Sequence, residues 1–284
     1  MNEARGDQAA EHERLVDDHF RRFSSFWKDL YEEKSLYGLI HQQRRAVALS
    51  WIDGLSLPRD SRILEIGFGA GLLAIDLVSG GFKVDGIDSN RAMVELAQRQ
   101  TADVAVADRV SLKQGDAHAI EFSSGSFGLV VALGVVPFLH SPLAAIREMA
   151  RVVEPGGFVL FSNDNRYRLN RVLDPKLSPS LRPARLALKA ALQEAGLYPR
   201  RPAPNSVPVN YFSRRQVKQW LSSANMFALR WHTLGFGPFS MLGRPLFEEE
   251  RAIRLHERLQ ALADRGTPLL RSCGSQHIVL ACRE

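Results

Sequence analysis

Cysteine is nearly missing from this 284-residue chain: there are two, Cys273 and Cys282, nine positions apart. Two thiols at that spacing make neither a disulfide framework nor a C-x-x-C metal pair, so both are expected to be buried thiols, and no metal site is expected. Long apolar runs are lacking as well. No stretch reaches the roughly 18 uninterrupted apolar residues of a membrane-spanning helix. The segment Met1 to Arg14 is polar and acidic, without the apolar core of a secretory signal, so the expected location is cytoplasmic. Internal repeats and low-complexity tracts are absent too, which excludes solenoid and array architectures.

What is present is ordinary in amount and uneven in placement. An apolar share of 45% and a charged share of 24% suit a globular protein, and the length is at the upper end for one α/β domain. The net charge of +6 is concentrated. Between Asn163 and Lys218 there are 12 Lys and Arg against three acids, and seven of the 14 prolines, so this span carries +9 and the remainder −3. It reads as a basic, loop-rich insertion. Its expected helix, Leu181 to Ala195, has Leu181, Leu188 and Leu192 along one stripe flanked by Arg182, Arg185 and Lys189. An apolar stripe edged by cations suits a phosphorylated lipid, another anionic and partly apolar molecule, or peripheral contact with a membrane. A lid helix with inward leucines and solvated charges is the plainer alternative.

The strongest motif is I-L-E-I-G-F-G-A-G, Ile63 to Gly71. A buried strand closes on Glu65 and feeds a glycine-rich turn before a helix over Ala70 to Leu77. Glycines let the backbone take positive φ and let a ligand lie against the main chain beside a helix N-terminus. A dinucleotide fingerprint would need its third glycine at position 72, which is Leu72, so an NAD-linked oxidoreductase fits poorly. A second strand, Lys83 to Ile87, ends in Asp88, where a carboxylate binds ribose hydroxyls. A third, Val110 to Gln114, ends in Gly115-Asp116. A fourth spans Phe127 to Leu133, and Glu154-Pro155-Gly156-Gly157 precedes a fifth, Phe158 to Ser162. Alternating strands and helices here predict a parallel, doubly wound α/β sheet with ligands at the carboxyl ends of its strands.

With E-I-G-F-G-A-G, G-I-D-S, G-D-A-H and E-P-G-G in this order, the chain resembles the class I S-adenosylmethionine-dependent methyltransferases of small-molecule type over about Ser61 to Ser162. The resemblance implies a seven-stranded Rossmann-like sheet whose last strand enters antiparallel. It implies S-adenosyl-L-methionine as cofactor, with S-adenosyl-L-homocysteine as product. Glu65, Gly67 and Gly69 would line the methionine end, Asp88 would hold the ribose, and Asp116 with the Ala117 backbone would hold the adenine. Phe68, Gly71, Ser89 and Leu133 complete the expected cofactor set. The expected organisation is a helical cap over 1–57, a cofactor-binding core over 58–162, the basic insertion over 163–212 and a C-terminal part over 213–284 that completes the sheet. Within the cap, Val16, Phe20, Phe23, Trp27, Leu30 and Tyr31 share a helical face, and a second helix covers Leu36 to Ile52. Tyr31, Tyr37 or His41 is a candidate lid over the cofactor. After the insertion, Ser213 is expected to cap a helix over Arg214 to Ser223, followed by strands at Ala228 to Leu234 and His277 to Cys282 and a helix over Phe247 to Asp264.

Methyl transfer from a sulfonium needs a nucleophile held in line, water kept out and, for some acceptors, a proton removed. His140, in the loop after the fourth expected strand, is the candidate base, although similar enzymes place a histidine where this chain has Pro137 and Phe138; capping the following helix is its alternative role. Asn163, Asn165, Arg166 and Tyr167, with Asp164, follow the fifth strand and are candidate acceptor contacts. Arg168 and Arg171 are candidate binders of phosphate or carboxylate. The expected activity is O-, N- or C-methylation of a small or lipid-like, anionic acceptor. Nucleic acid is disfavoured as substrate because N-P-P-Y, D-P-P-Y and a Pro-Cys nucleophile are absent. A non-catalytic cofactor-binding protein on the same fold is the alternative from another class.

Overall fold

The computed structural model describes residues 2–22, 30, 33–102, 107–178, 180–195, 207–242 and 244–284. Of the cap residues singled out above, Phe23, Trp27 and Tyr31 lie outside this set. The strands of the main sheet are β1 (Arg62–Ile66), β2 (Lys83–Asp88), β3 (Val110–Gln114), β4 (Phe127–Ala132), β5 (Val153–Asp164), β6 (Met226–Leu234) and β7 (Gln276–Arg283). They form one sheet in the order β3-β2-β1-β4-β5-β7-β6. The first five are parallel, and β7 is antiparallel to both β5 and β6. The main helices are α1 (Asn2–Arg22), α2 (Leu36–Asp53), α3 (Leu72–Ser79), α4 (Arg91–Ala102), α5 (Pro142–Val152), α6 (Arg182–Glu194), α7 (Arg214–Ser223) and α8 (Glu249–Asp264).

The central strands read as unbroken apolar runs because helices cover both faces of a parallel sheet. All six residues of β4 are buried. Val130 and Ala132 pack with Ile146 and Met149 of α5 on one face, while Leu129 and Val131 meet Ile52 of α2 and Leu77 of α3 on the other. This places the loops at the carboxyl ends of β1 to β5 along one rim.

Local chemistry moved several expected boundaries. α3 starts at Leu72 rather than Ala70, because Gly71 is its N-cap in a left-handed conformation, φ +81°. β5 is longer than expected at both ends, and Glu154-Pro155-Gly156-Gly157 forms a bulge within it, between the pairs Phe127–Val153 and Leu129–Phe158. The two cysteines are free and only half-buried rather than buried: Cys273 ends a short helical turn before β7, and Cys282 is the penultimate residue of β7.

The basic insertion leaves and returns at one point. Phe212 donates its N–H to Asp164 O and accepts from Arg166 N, so the excursion closes against the end of β5. Its return leg also reaches the β4–α5 loop, where Asn210 donates to Pro137 O and Leu139 O. The helix α6 forms as expected, but it buries none of its residues among the described set: Leu186 and Leu188 are 56% and 61% exposed. Of the stripe leucines, Leu181 and Leu188 are therefore exposed, against the inward-leucine alternative, and Leu192 is half-buried. Among the described residues no helix is long and apolar enough to cross a membrane.

Candidate functional site

A cavity of about 970 Å³ opens at the carboxyl rim of β1 to β5 and is roofed by α1. That is near the top of the roughly 300–1,000 Å³ range for ligand sites. Its floor is the glycine-rich turn. Gly69 has φ +54° and nothing within 4 Å of where a Cβ would be, so a ligand can lie directly on the backbone. Gly67, at φ +66°, lies where a Cβ would press 2.4 Å from Val135 Cγ2, so only glycine lets the β4 loop close over the turn.

Two acids stand at the strand ends. Asp88 accepts Gly69 N–H at 3.0 Å through Oδ2 and Asn90 N–H at 2.9 Å through Oδ1. Burial nevertheless raises its pKa to about 6, against the two hydrogen bonds that lower it. Glu65 is more extreme. It is 5% exposed, its Oε2 has no hydrogen-bond partner, and burial followed by the charges of Asp88 and Asp76 raises its pKa to about 8. A buried carboxyl with an orphaned oxygen beside an open glycine cradle is prepared for a cationic ligand.

Residues 64–161 match the methyltransferase domain family. The chain is 30% identical over 148 residues to a ubiquinone biosynthesis O-methyltransferase of Paracidovorax citrulli, an alignment covering 52% of this chain and 60% of that protein. It is 34% identical over 105 residues to a phosphatidylethanolamine N-methyltransferase of Cereibacter sphaeroides, covering 37% and 51%. Each match therefore spans less than two thirds of the relative. In fold it is similar to a magnesium protoporphyrin IX methyltransferase from Synechocystis PCC 6803 with bound S-adenosylhomocysteine, with TM-score 0.63 and 15% identity over 96% of this chain and all of that one. Residues 64–161 of the chain therefore match a methyltransferase domain, on the fold that this structure shares.

The cofactor of such domains, S-adenosylmethionine, fits this half of the cavity in its chemistry: the orphaned Glu65 would answer its positive charges and Asp88 its ribose diol. Nine of the ten residues expected to contact it line the cavity: Glu65, Gly67, Phe68, Gly69, Asp88, Ser89, Asp116, Ala117 and Leu133. Gly71 does not. It caps α3, with Ala97 Cβ 3.1 Å from the place its own Cβ would take, so the third glycine of the motif serves helix packing.

Of the residues expected to contact the acceptor, Asp164 and Arg168 line the cavity and the others do not. Asn163, Asn165, Arg166 and Tyr167 lie outside the cavity lining. Asn165 is buried and fastens a turn, its Nδ2 donating to Ser272 O and Gly274 O and its Oδ1 accepting from Tyr167 N–H. Asn163 is 1% exposed and Tyr167 is 54% exposed, one locked in the strand and the other in solvent. Their neighbours Asp164 and Arg168 line the cavity instead, with Tyr37, His41, Arg44 and Gln276. Side chains alternate along β5, so Asp164 faces the cavity where Asn163 and Asn165 do not. Burial raises the Asp164 pKa, while Arg168, Arg44 and a hydrogen bond from Gln276 oppose the rise. Arg44 is 5% exposed, donates to Gln276 Oε1 at 3.4 Å, and leaves its Nε unpartnered.

His140 also lines the cavity, beside Asp116 and His118. Its ring stacks on His118 at 3.9 Å, and its Nδ1 is 2.9 Å from Glu13 Oε1 of α1. Burial and the neighbouring His118 lower its pKa. No side-chain cap bond joins this region to α5, so the helix-capping role is not seen. Sequence reasoning missed Arg44, Asn90, Gln276 and the roofing role of α1. Tyr37 and His41 do line the cavity, but the roof is α1, fixed by Asn90 Nδ2 to Asp17 O and Oδ1, by His12 Nε2 to Phe138 O at 2.7 Å, and by Phe20 packed edge-on against Phe138. A polar N-terminal helix offers little sequence signal for such a role; only the Val16 and Phe20 spacing hinted at it.

Proposed function

We propose that the protein transfers a methyl group from S-adenosylmethionine to a small or lipid-like acceptor that carries an anionic group beside a hydroxyl. The observation that carries this reading is that Asp164, Arg44 and Arg168 share one wall of the cavity, close enough for the arginine charges to act on the carboxyl. The cofactor supplies an electrophilic methyl activated by its sulfonium charge. The chain's residues would do the rest: Arg44 and Arg168 would hold the acceptor's carboxylate or phosphate, and Asp164 as carboxylate would take the hydroxyl proton as the oxygen–methyl bond forms and the methyl–sulfur bond breaks, leaving S-adenosylhomocysteine. Tyr37, Phe138 and α1 exclude water. The O-methyltransferase and phospholipid N-methyltransferase relatives support a metabolite or lipid acceptor rather than a nucleic acid.

Incubation with S-adenosylmethionine and a panel of hydroxylated aromatic carboxylates and phosphorylated lipids, with release of S-adenosylhomocysteine as readout, tests the reading. Turnover should require an anionic acceptor, with Arg44→Ala raising KM. Cofactor binding with no turnover on any member would favour the non-catalytic alternative. The bare leucines of α6 support peripheral membrane contact as the route to a lipid acceptor. Sedimentation with anionic vesicles, lost on Leu186→Gln/Leu188→Gln, is the expected result; no sedimentation of the parent protein would remove that route.

A further inference from the structure

At the rim of the cavity, three residues far apart in sequence converge. Glu13 of α1, His118 of the β3–β4 connection and His140 of the β4–α5 loop each bring a ligand atom to within 4.8 Å of the others. Two imidazoles and one carboxylate form a set that first-row transition ions, zinc above all, bind with an open fourth position. We propose that these three side chains form a zinc-class metal site that ties the roofing helix to the two loops beneath it.

Three features support the assignment. Asp116 Oδ1 lies 2.8 Å from His118 Nδ1, the carboxylate–histidine pairing that fixes a metal-binding tautomer and leaves Nε2 as the ligand atom. That Nε2 has only a long contact, 3.4 Å, with Ser141 N–H, which an ion would displace. His140 Nδ1 and Glu13 Oε1 are 2.9 Å apart, and a turn of the His140 ring out of its stack on His118 would aim a nitrogen of each ring at an ion shared with Glu13. The side chains of His118, His140 and Glu13 are 12%, 26% and 54% exposed, which leaves a path for the ion and room for a water. The surrounding cation Arg14 is paired with Glu11. His12, although near, directs its Nε2 to Phe138 O and is not part of the set.

Expectation from sequence had excluded a metal on the absence of a cysteine motif; the ligands come from three elements and have no spacing to read. The assignment does not depend on the acceptor or on the reaction. Calorimetric titration of the full chain with Zn²⁺ should give one ion per chain, and Co²⁺ should give the visible absorption of a tetrahedral site. Glu13→Gln, His118→Ala and His140→Ala should each abolish the Co²⁺ band, and Asp116→Asn should weaken Zn²⁺ binding by about 10- to 100-fold. His232→Ala, remote from the cluster, should change neither signal. Glu13 is on an exposed face, so Glu13→Gln tests the site even if a histidine variant fails to fold. Absence of stoichiometric binding, or binding that Glu13→Gln leaves intact, would overturn the proposal.

Discussion

Asp88 makes its case one hydrogen bond at a time: it already accepts two backbone N–H groups, from Gly69 and Asn90, which orient its oxygens along the cavity wall. Asp88→Ala is expected to weaken S-adenosylmethionine by roughly 1–3 kcal/mol, the scale of a lost charge-assisted hydrogen bond, in a calorimetric titration. Unchanged affinity would remove it from the site. Asp164→Asn keeps the shape and removes the proton acceptor, so kcat should fall by about 10²- to 10⁴-fold while KM stays close to the parent value. A loss confined to KM would make Asp164 a binding group instead. At this scale the sequence was informative wherever one residue type has one backbone-imposed use, as at Gly67, Gly69 and Asp88. It was less so at Asn163 and Asn165, because a one-residue step along β5 exchanges the two faces of the strand.

Elements are held by capping and by bridging side chains. Ser213 and Gln216 form a reciprocal capping box at the start of α7, with both bonds present. Ser213→Ala should cost about 1 kcal/mol, read as a lower denaturant midpoint at unchanged m-value. Asn90 serves two elements at once. Its Oδ1 accepts from Met93 N–H at the start of α4, and its Nδ2 holds α1 through Asp17. Asn90→Ala should therefore speed cofactor dissociation in a stopped-flow experiment, whereas a lost α4 cap alone would lower stability without changing that rate. Helix and strand existence was legible for α2, α6, α7 and β1 to β4 because long apolar periodicity and serine caps act locally. The bulge in β5 was not, because the proline and glycines of that segment read as a turn until β4 supplies a partner.

The whole molecule has a pH dependence that follows from its buried acids and bases. Glu65 and Asp88 have pKa values raised to about 8 and about 6, so the folded state holds protons that the unfolded chain would have released. Their contribution to stability is full below the ordinary values of 4.5 and 3.8 and is lost as pH rises through about 6 and about 8. His41 and His277, buried and lowered from 6.5 to about 3, act in the opposite sense: unfolding takes up protons, so stability falls as pH drops below 6.5. A cofactor-free melting series should peak at about pH 6.5, and saturating S-adenosylmethionine should remove much of the decline on the alkaline side by pairing with ionised Glu65. A decline unaffected by the cofactor would separate Glu65 from its charge. The sequence by itself determined the parallel α/β core, the glycine turn and the acids at the ends of β1, β2 and β3, because strand burial and turn geometry are encoded within a few residues. Only the tertiary structure decided which residues of β5 face the cavity, that α1 roofs it, and that Arg44, Gln276, His118, His140 and Glu13 reach its wall, because those placements depend on where separate elements come to rest against one another.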